Sequence, residues 1–183
     1  MIIVALGANL ASARYGSPRE GLEAALRRLD GAGMTVTRRS HWYLSAPYPA
    51  ADQPRYVNGV AAVETTLSPA ALMARLLGIE AAFGRRRGER NSARELDLDL
   101  IDFGGQILDR AADEDGPAVQ LPHPRMSQRA FVLLPLSEIA GDRLHPVTGV
   151  SYAQHWHDYD KHRQKLWPVE FVWRGGNITR AGN

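Results

Sequence analysis

Glu95-Leu96-Asp97-Leu98-Asp99-Leu100-Ile101-Asp102-Phe103 decides how this chain is read. Successive side chains of a strand point to opposite sides, so Leu96, Leu98 and Leu100 share one face while Asp97, Asp99 and Ile101 share the other. The leucine face belongs against a core. The other carries two carboxylates that repel one another unless cations bridge them.

Working upstream, Ser68-Pro69 starts a helix whose stripe is Leu72, Leu76, Ile79 and Phe83, with Gly84 at the C-cap position. Tyr56 to Thr65 reads as a strand, and so does Met34 to Leu44, the two separated by a loop punctuated by Pro47, Pro49 and Pro54. Ser17-Pro18-Arg19-Glu20 is a capping box with proline at the first helical position, followed by Leu22, Ala25, Leu26 and Leu29 on one face. Gly31 and Gly33 stop that helix. Met1 to Leu6 is a first strand broken at Gly7. Downstream, Gly104-Gly105 suggests a hairpin turn into a short strand at Gln106 to Leu108, and Asp109 to Gly116 an exposed acidic loop. Arg129 to Ala140 reads as a helix bent or restarted at Pro135.

The order strand, helix, strand, strand, helix, strand predicts an α+β chain. Its core is a ferredoxin-like βαββαβ unit, an antiparallel sheet with helices on one face, to which an extra hairpin and C-terminal helices are added. Residues 1–167 form the predicted domain, and 168–183, without helical stripe or clear strand pairing, a tail. His155, His157 and His162, set among Asp158 and Asp160, are read as a polar helix face because their spacings fit no compact ligand set.

The chain has 183 residues, 44% hydrophobic and 23% charged, with no cysteine and a formal charge of +2. At this size about 70% of the unfolded surface can be buried, so neither disulfide nor structural metal is needed. No signal segment or bilayer-length apolar run is present, and absence of cysteine fits the cytoplasm. The basic excess is concentrated in one stretch: Arg85, Arg86, Arg87, Arg90 and Arg94. Guanidinium forks bind phosphate oxygens bidentately, whereas paired aspartates suit Mg²⁺ shared with a polyphosphate. Taken singly, each signal has a plainer reading, a solvated basic loop and a solvated sheet face. Their juxtaposition argues for phosphoryl chemistry.

Three further clusters carry polar groups. Leu121-Pro122-His123-Pro124-Arg125-Met126, with Arg129 and Phe131 beyond, offers a histidine able to donate to phosphate. Asp52-Gln53-Pro54-Arg55-Tyr56-Val57-Asn58 places a ring and an amide two apart, suited to a flat heterocycle. Gly7-Ala8-Asn9 is read as a turn after the first strand and given no catalytic role.

Together the residues resemble the 6-hydroxymethyl-7,8-dihydropterin pyrophosphokinase family, whose hallmark stands here as Arg94-Glu95-Leu96-Asp97-Leu98-Asp99 behind an arginine-rich loop. Gly7-Ala8-Asn9-Leu10, Asp52-Gln53-Pro54 with Tyr56 and Asn58, Pro122-His123, Arg129-Ala130-Phe131, and Pro135-Leu136 with Glu138-Ile139 follow in family order up to about Trp167. The resemblance implies transfer of pyrophosphate from ATP to the pterin hydroxymethyl group, releasing AMP, in folate synthesis. It implies two Mg²⁺ ions on Asp97 and Asp99, catalytic roles for Arg85 and Arg94, and ATP contacts from Arg87, Arg94, Leu100, His123 and Arg129. It also implies a pterin seat of Ser45, Ala46, Tyr48, Tyr56, Asn58 and Phe131, in a monomer binding small molecules and neither nucleic acid nor membrane. Asn91 and Pro124 depart from the family pattern, which has aromatic residues at both places. Two other classes fit parts of the pattern: an RNA-binding module, which would expose aromatic residues on its sheet face, and a nucleotidyltransferase, which would release pyrophosphate.

Overall fold

The computed structural model describes residues 1–31, 33–47, 51–84, 92–112, 116–163, 169–174 and 177–180. Strand β1 (Ile2–Ala8) lies between β5 (Asp97–Phe103) and β4 (Tyr56–Glu64), antiparallel to both. On the far side of β4 run β2 (Thr35–Arg39) and β3 (Trp42–Ser45), also antiparallel to it.

Helices α1 (Pro18–Leu29) and α2 (Pro69–Ala82) start where the sequence predicts. The Ser17 capping box closes reciprocally, with Ser17 N–H donating to Glu20 Oε2 at 2.8 Å and Glu20 N–H donating back to Ser17 Oγ. Their stripes meet Val4, Leu6, Leu98 and Leu100 in the larger core. Each fully buried leucine there contributes about 2 kcal/mol.

The other face departs from expectation. The sequence predicts helices on one face, yet α3 (Ala130–Ala140) and α4 (Tyr152–Arg163) cover part of the second, packing Val132, Leu136 and Tyr152 against Ile3, Val60, Ala62 and Ile101. That face is apolar along half its length and must be covered there. The half left open begins where Ala5 and Gly7 replace large side chains, and Asp97 and Asp99 lie on it.

Three local readings also change. The predicted strand Met34 to Leu44 is two strands, interrupted at Ser40 and His41, where Ser40 Oγ accepts the Val60 N–H at 3.0 Å in place of a ladder bond. Gly104 and Gly105 do form a turn with positive φ, but the strand after it, β6 (Leu108–Arg110), pairs with β7 (Val119–Leu121) and not with β5. The segment 168–183 has strand pairing that its sequence did not disclose: β8 (Val169–Arg174) adds to β3, and β9 (Asn177–Arg180) to β8.

Candidate active site

One cross-strand row organises the open half-face. Asp97 on β5 pairs with Gly7 on β1, Gly7 with Asn58 on β4, and Asn58 with Tyr43 on β3. Strands are spaced at about 4.8 Å, so the Asp97 and Asn58 backbones stand about 10 Å apart across a residue with no side chain. Gly7 therefore leaves a clear floor between them.

At the acidic end each carboxylate has its own guanidinium. Arg94 Nη1 donates to Asp97 Oδ1 at 2.7 Å, and Arg129 Nη1 to Asp99 Oδ2 at 2.9 Å. Both arginines are mostly buried, which strengthens the pairing relative to a surface ion pair. Arg129 sits at the N-cap of α3 with its guanidinium 5.6 Å above the Phe131 ring, so one helix start supplies both cation and aromatic.

His123 follows a cis Leu121–Pro122 peptide and reaches the same carboxylate, Nε2 lying 3.9 Å from Asp99 Oδ2. Its Nδ1 accepts the Arg125 N–H at 3.1 Å, which leaves the neutral ring's proton on Nε2, facing the site. Burial lowers its pKa, and Arg129 and Arg125 push the same way against the opposing pull of Asp99.

At the other end Asn58 is buried, its Nδ2 donating to Ser45 Oγ at 2.9 Å, while its Oδ1 faces Gly7. Tyr56, two residues earlier on the same face, donates from its hydroxyl to the Ser92 carbonyl at 3.3 Å. Ala46 is half-buried beside Ser45.

The structure thus brings together Ser45, Ala46, Tyr56, Asn58, Arg94, Asp97, Asp99, His123, Arg129 and Phe131. Arg85, Arg87, Tyr48 and Asn91 lie outside the described residues. Leu100 is not brought to the site by its side chain, which lies in the core on the opposite face of β5. Pro124 is exposed next to His123.

Two residues to which the sequence reading gives no role support the site. Glu80 of α2 is fully buried and its Oε1 accepts the Leu98 N–H at 2.7 Å, gripping the edge strand between the two aspartates. A carboxylate four residues after Leu76, on the apolar stripe itself, was the available signal. Asn9 bonds both loops that flank the site.

Hard carboxylate oxygens on one strand face fit Mg²⁺. Mg²⁺ is usually held by one or two carboxylates together with substrate phosphates, which is the donor set that Asp97 and Asp99 offer. A site of this shape can align a polyphosphate over Asp97 and Asp99 with a flat heterocycle held at Asn58. An RNA-binding module would expose a row of aromatic residues on its sheet face, where Asp97, Gly7 and Asn58 stand here.

Residues 3–141 match the family model of 7,8-dihydro-6-hydroxymethylpterin-pyrophosphokinase. The 2-amino-4-hydroxy-6-hydroxymethyldihydropteridine pyrophosphokinase of Pseudomonas aeruginosa is 44% identical over 142 residues, 77% of this chain and 81% of that one. The Synechocystis protein of the same name is 39% identical over 168 residues, 91% of this chain and 79% of that one. A mitochondrial folate synthesis bifunctional protein of Arabidopsis thaliana is 34% identical over 161 residues, 88% of this chain but 26% of that one. Among solved structures, wild-type Plasmodium falciparum HPPK-DHPS with pteroate superposes with a TM-score of 0.72 at 12% identity, covering 98% of this chain and 49% of that one. The chain spans about half the length of such solved structures, and at this identity they speak for the fold alone.

Proposed function

The chain belongs to the 7,8-dihydro-6-hydroxymethylpterin-pyrophosphokinase family, and from that membership we propose how its residues divide the work of the reaction. It transfers a pyrophosphoryl group to 6-hydroxymethyl-7,8-dihydropterin in folate synthesis. ATP is the donor and AMP the leaving product.

One observation carries the assignment of roles: the guanidinium-paired carboxylate of Asp97 stands two strand spacings from a buried amide with glycine between, and a second such carboxylate, Asp99, follows it on the same strand face. Asn58 and Ser45 orient the pterin edge, and Tyr56 and Phe131 stack on its ring. Ala46 and Tyr48 complete the seat. Arg94 and Arg129 exchange their carboxylate partners for phosphate oxygens as the nucleotide arrives, joined by Arg85 and Arg87. His123 donates a hydrogen bond from its Nε2–H to a phosphate oxygen and keeps its proton, remaining neutral. Since the Leu100 side chain is in the core, what it offers the adenine is backbone on the edge strand. Asp97 and Asp99 would hold two Mg²⁺ ions, which would supply charge neutralisation for the polyphosphate and lower the pKa of the attacking hydroxyl. The residues do the rest by positioning, which is the greater part of phosphoryl-transfer catalysis.

We further infer a ferredoxin-like core, supported by the order β5-β1-β4 with β2 and β3 both on β4. The catalytic unit runs over residues 1–167, with 168–183 as an appendage to its sheet. We place the chain in the cytoplasm as a monomer acting on small molecules. No helix among the described residues is long and apolar enough to cross a membrane.

Purified protein given ATP, Mg²⁺ and hydroxymethyl-dihydropterin should yield AMP and the pterin pyrophosphate by mass, and a chelator should stop both. Release of inorganic pyrophosphate would show a nucleotidyltransferase instead.

A further inference from the structure

We propose that Asn9 is a positioning residue that sets the spacing between the pterin seat and the phosphate-binding strand, a role that rests on the pyrophosphokinase reading above. Asn9 follows β1 and is only 3% exposed. Its Oδ1 accepts the Arg94 N–H at 2.8 Å, and its Nδ2 donates to the Pro54 carbonyl at 3.1 Å and to Gln53 Oε1 at 3.3 Å. Its own N–H and that of Leu10 both donate to the Arg94 carbonyl, at 3.0 and 3.2 Å. With both amide atoms engaged and almost no exposed surface, Asn9 has nothing to offer a substrate directly.

What it joins are the two stretches that lead into the site. Pro54 runs into Tyr56 and Asn58 at the start of β4, and Arg94 runs into Asp97 at the start of β5, with its own guanidinium on the Asp97 carboxylate. Neither residues 51–55 nor 92–96 belong to a strand or helix, so no sheet ladder fixes one against the other. The Asn9 amide bridges them directly. The Tyr56 hydroxyl closes a ring from the same side, 3.3 Å from the Ser92 carbonyl and 3.5 Å from Gln53 Oε1.

Transfer requires the pterin hydroxyl and the phosphorus to meet in line, and a misplacement of about 1 Å costs roughly 100-fold in rate. A bridge between the two substrate-bearing loops controls that alignment while each loop keeps its own contacts. Loss of the bridge should therefore slow the joint step and spare binding of each substrate alone.

N9D separates this from a merely structural role. It keeps an acceptor for the Arg94 N–H but turns an anionic oxygen towards Pro54 O and Gln53 Oε1, which repel it. At about pH 8 the single-turnover rate should fall roughly 30- to 100-fold, with the separate dissociation constants of a nonhydrolysable ATP analogue and of the pterin each held within about threefold. As pH falls towards about 6, the ratio of N9D to wild-type rate should climb, because a protonated acid again donates to the Pro54 carbonyl. N9S, whose hydroxyl reaches one loop at a time, should show the same split and serves if N9D does not stay folded.

An N9D or N9S protein that turns over like wild type overturns the role of Asn9. So does a rate loss matched by loss of folded protein or by weaker binary binding. A wild-type chain that makes no AMP overturns the pyrophosphokinase reading itself, so the two failures are told apart.

Discussion

Gly7 and Asn58 are cross-strand partners, and a methyl group on Gly7 would stand 3.1 Å from Asn58 Oδ1. Asn58 is tied to Ser45 and cannot turn aside without breaking that bond. The same methyl would lie on the floor that separates Asp97 from Asn58. In Gly7→Ala, pterin binding should weaken about tenfold or more, the usual effect of one misplaced methyl group in a tight pocket. Binding of an ATP analogue should not change. Calorimetric titration of each ligand against folded G7A checks this, and unaltered pterin affinity would mean that the ring does not sit over Gly7.

Asp97 and Asp99 lie about 6.8 Å apart at their Cα atoms, as alternate residues of one strand do, and each has a guanidinium partner. Asp97→Asn or Asp99→Asn keeps the shape and removes the charge. Each should lower kcat by about 10³-fold, which corresponds to about 4 kcal/mol of transition-state stabilisation. EDTA should abolish turnover and leave the thermal midpoint where it was, since Arg94 and Arg129 pair with Asp97 and Asp99 without a metal. A midpoint that drops on chelation would point to a metal that holds the fold.

Much of this was legible because it is local. The alternation of Leu96, Asp97, Leu98 and Asp99 fixes which side of β5 meets α1 and α2, and the serine caps fix where those helices begin. What covers the second face was not legible. Ile3, Val60, Ala62 and Ile101 come from three strands, and only the assembled sheet shows that they form one apolar patch awaiting α3 and α4. Asn9 is a similar case: Gly7-Ala8-Asn9-Leu10 resembles the family, but nothing in those four residues tells that the amide bonds partners 45 and 85 positions away. Leu100 was drawn towards the nucleotide by resemblance, although its own alternation with Asp99 already placed its side chain in the core.

His145 and His155 face one another with ring centroids 5.2 Å apart. Burial lowers the pKa of both, with His155 adding to the effect on His145, while Asp102 and Asp158 respectively oppose it. Each folded-state value is thus below that of the unfolded chain, so in the window between the two the unfolded state binds protons that the folded state does not. Their contribution to stability is complete above the unfolded value and declines as pH falls through that window. Urea midpoints measured from about pH 8 to about pH 5 should fall, and the fall should be shallower in His155→Gln. Parallel curves for the two proteins would remove His155 from the account.

Asp102 is fully buried three residues beyond Asp99, where its Oδ2 accepts the Tyr152 hydroxyl at 2.8 Å and its Oδ1 the Gly105 N–H at 2.7 Å. Burial and the neighbouring carboxylate hold the Tyr152 pKa far above its ordinary value, so the hydroxyl is a permanent donor. Among the described residues, Tyr152→Phe would leave Oδ2 with only Arg143 Nη2, 3.8 Å away. An unsatisfied buried carboxylate oxygen costs about 1–3 kcal/mol, and for a chain of this size each kcal/mol lowers the midpoint by about 2–4 °C. Calorimetry should show that loss, and the kcat of the folded variant should be close to wild type, because the bond secures α4 to the end of β5 remote from Asp97. Adding Asp102→Asn should recover part of the loss, as a neutral amide is less costly to leave half-satisfied than a carboxylate. A Y152F protein that keeps its midpoint but loses turnover would reverse this assignment, and would mean that the end of β5 is coupled to Asp97 and Asp99 through the strand itself.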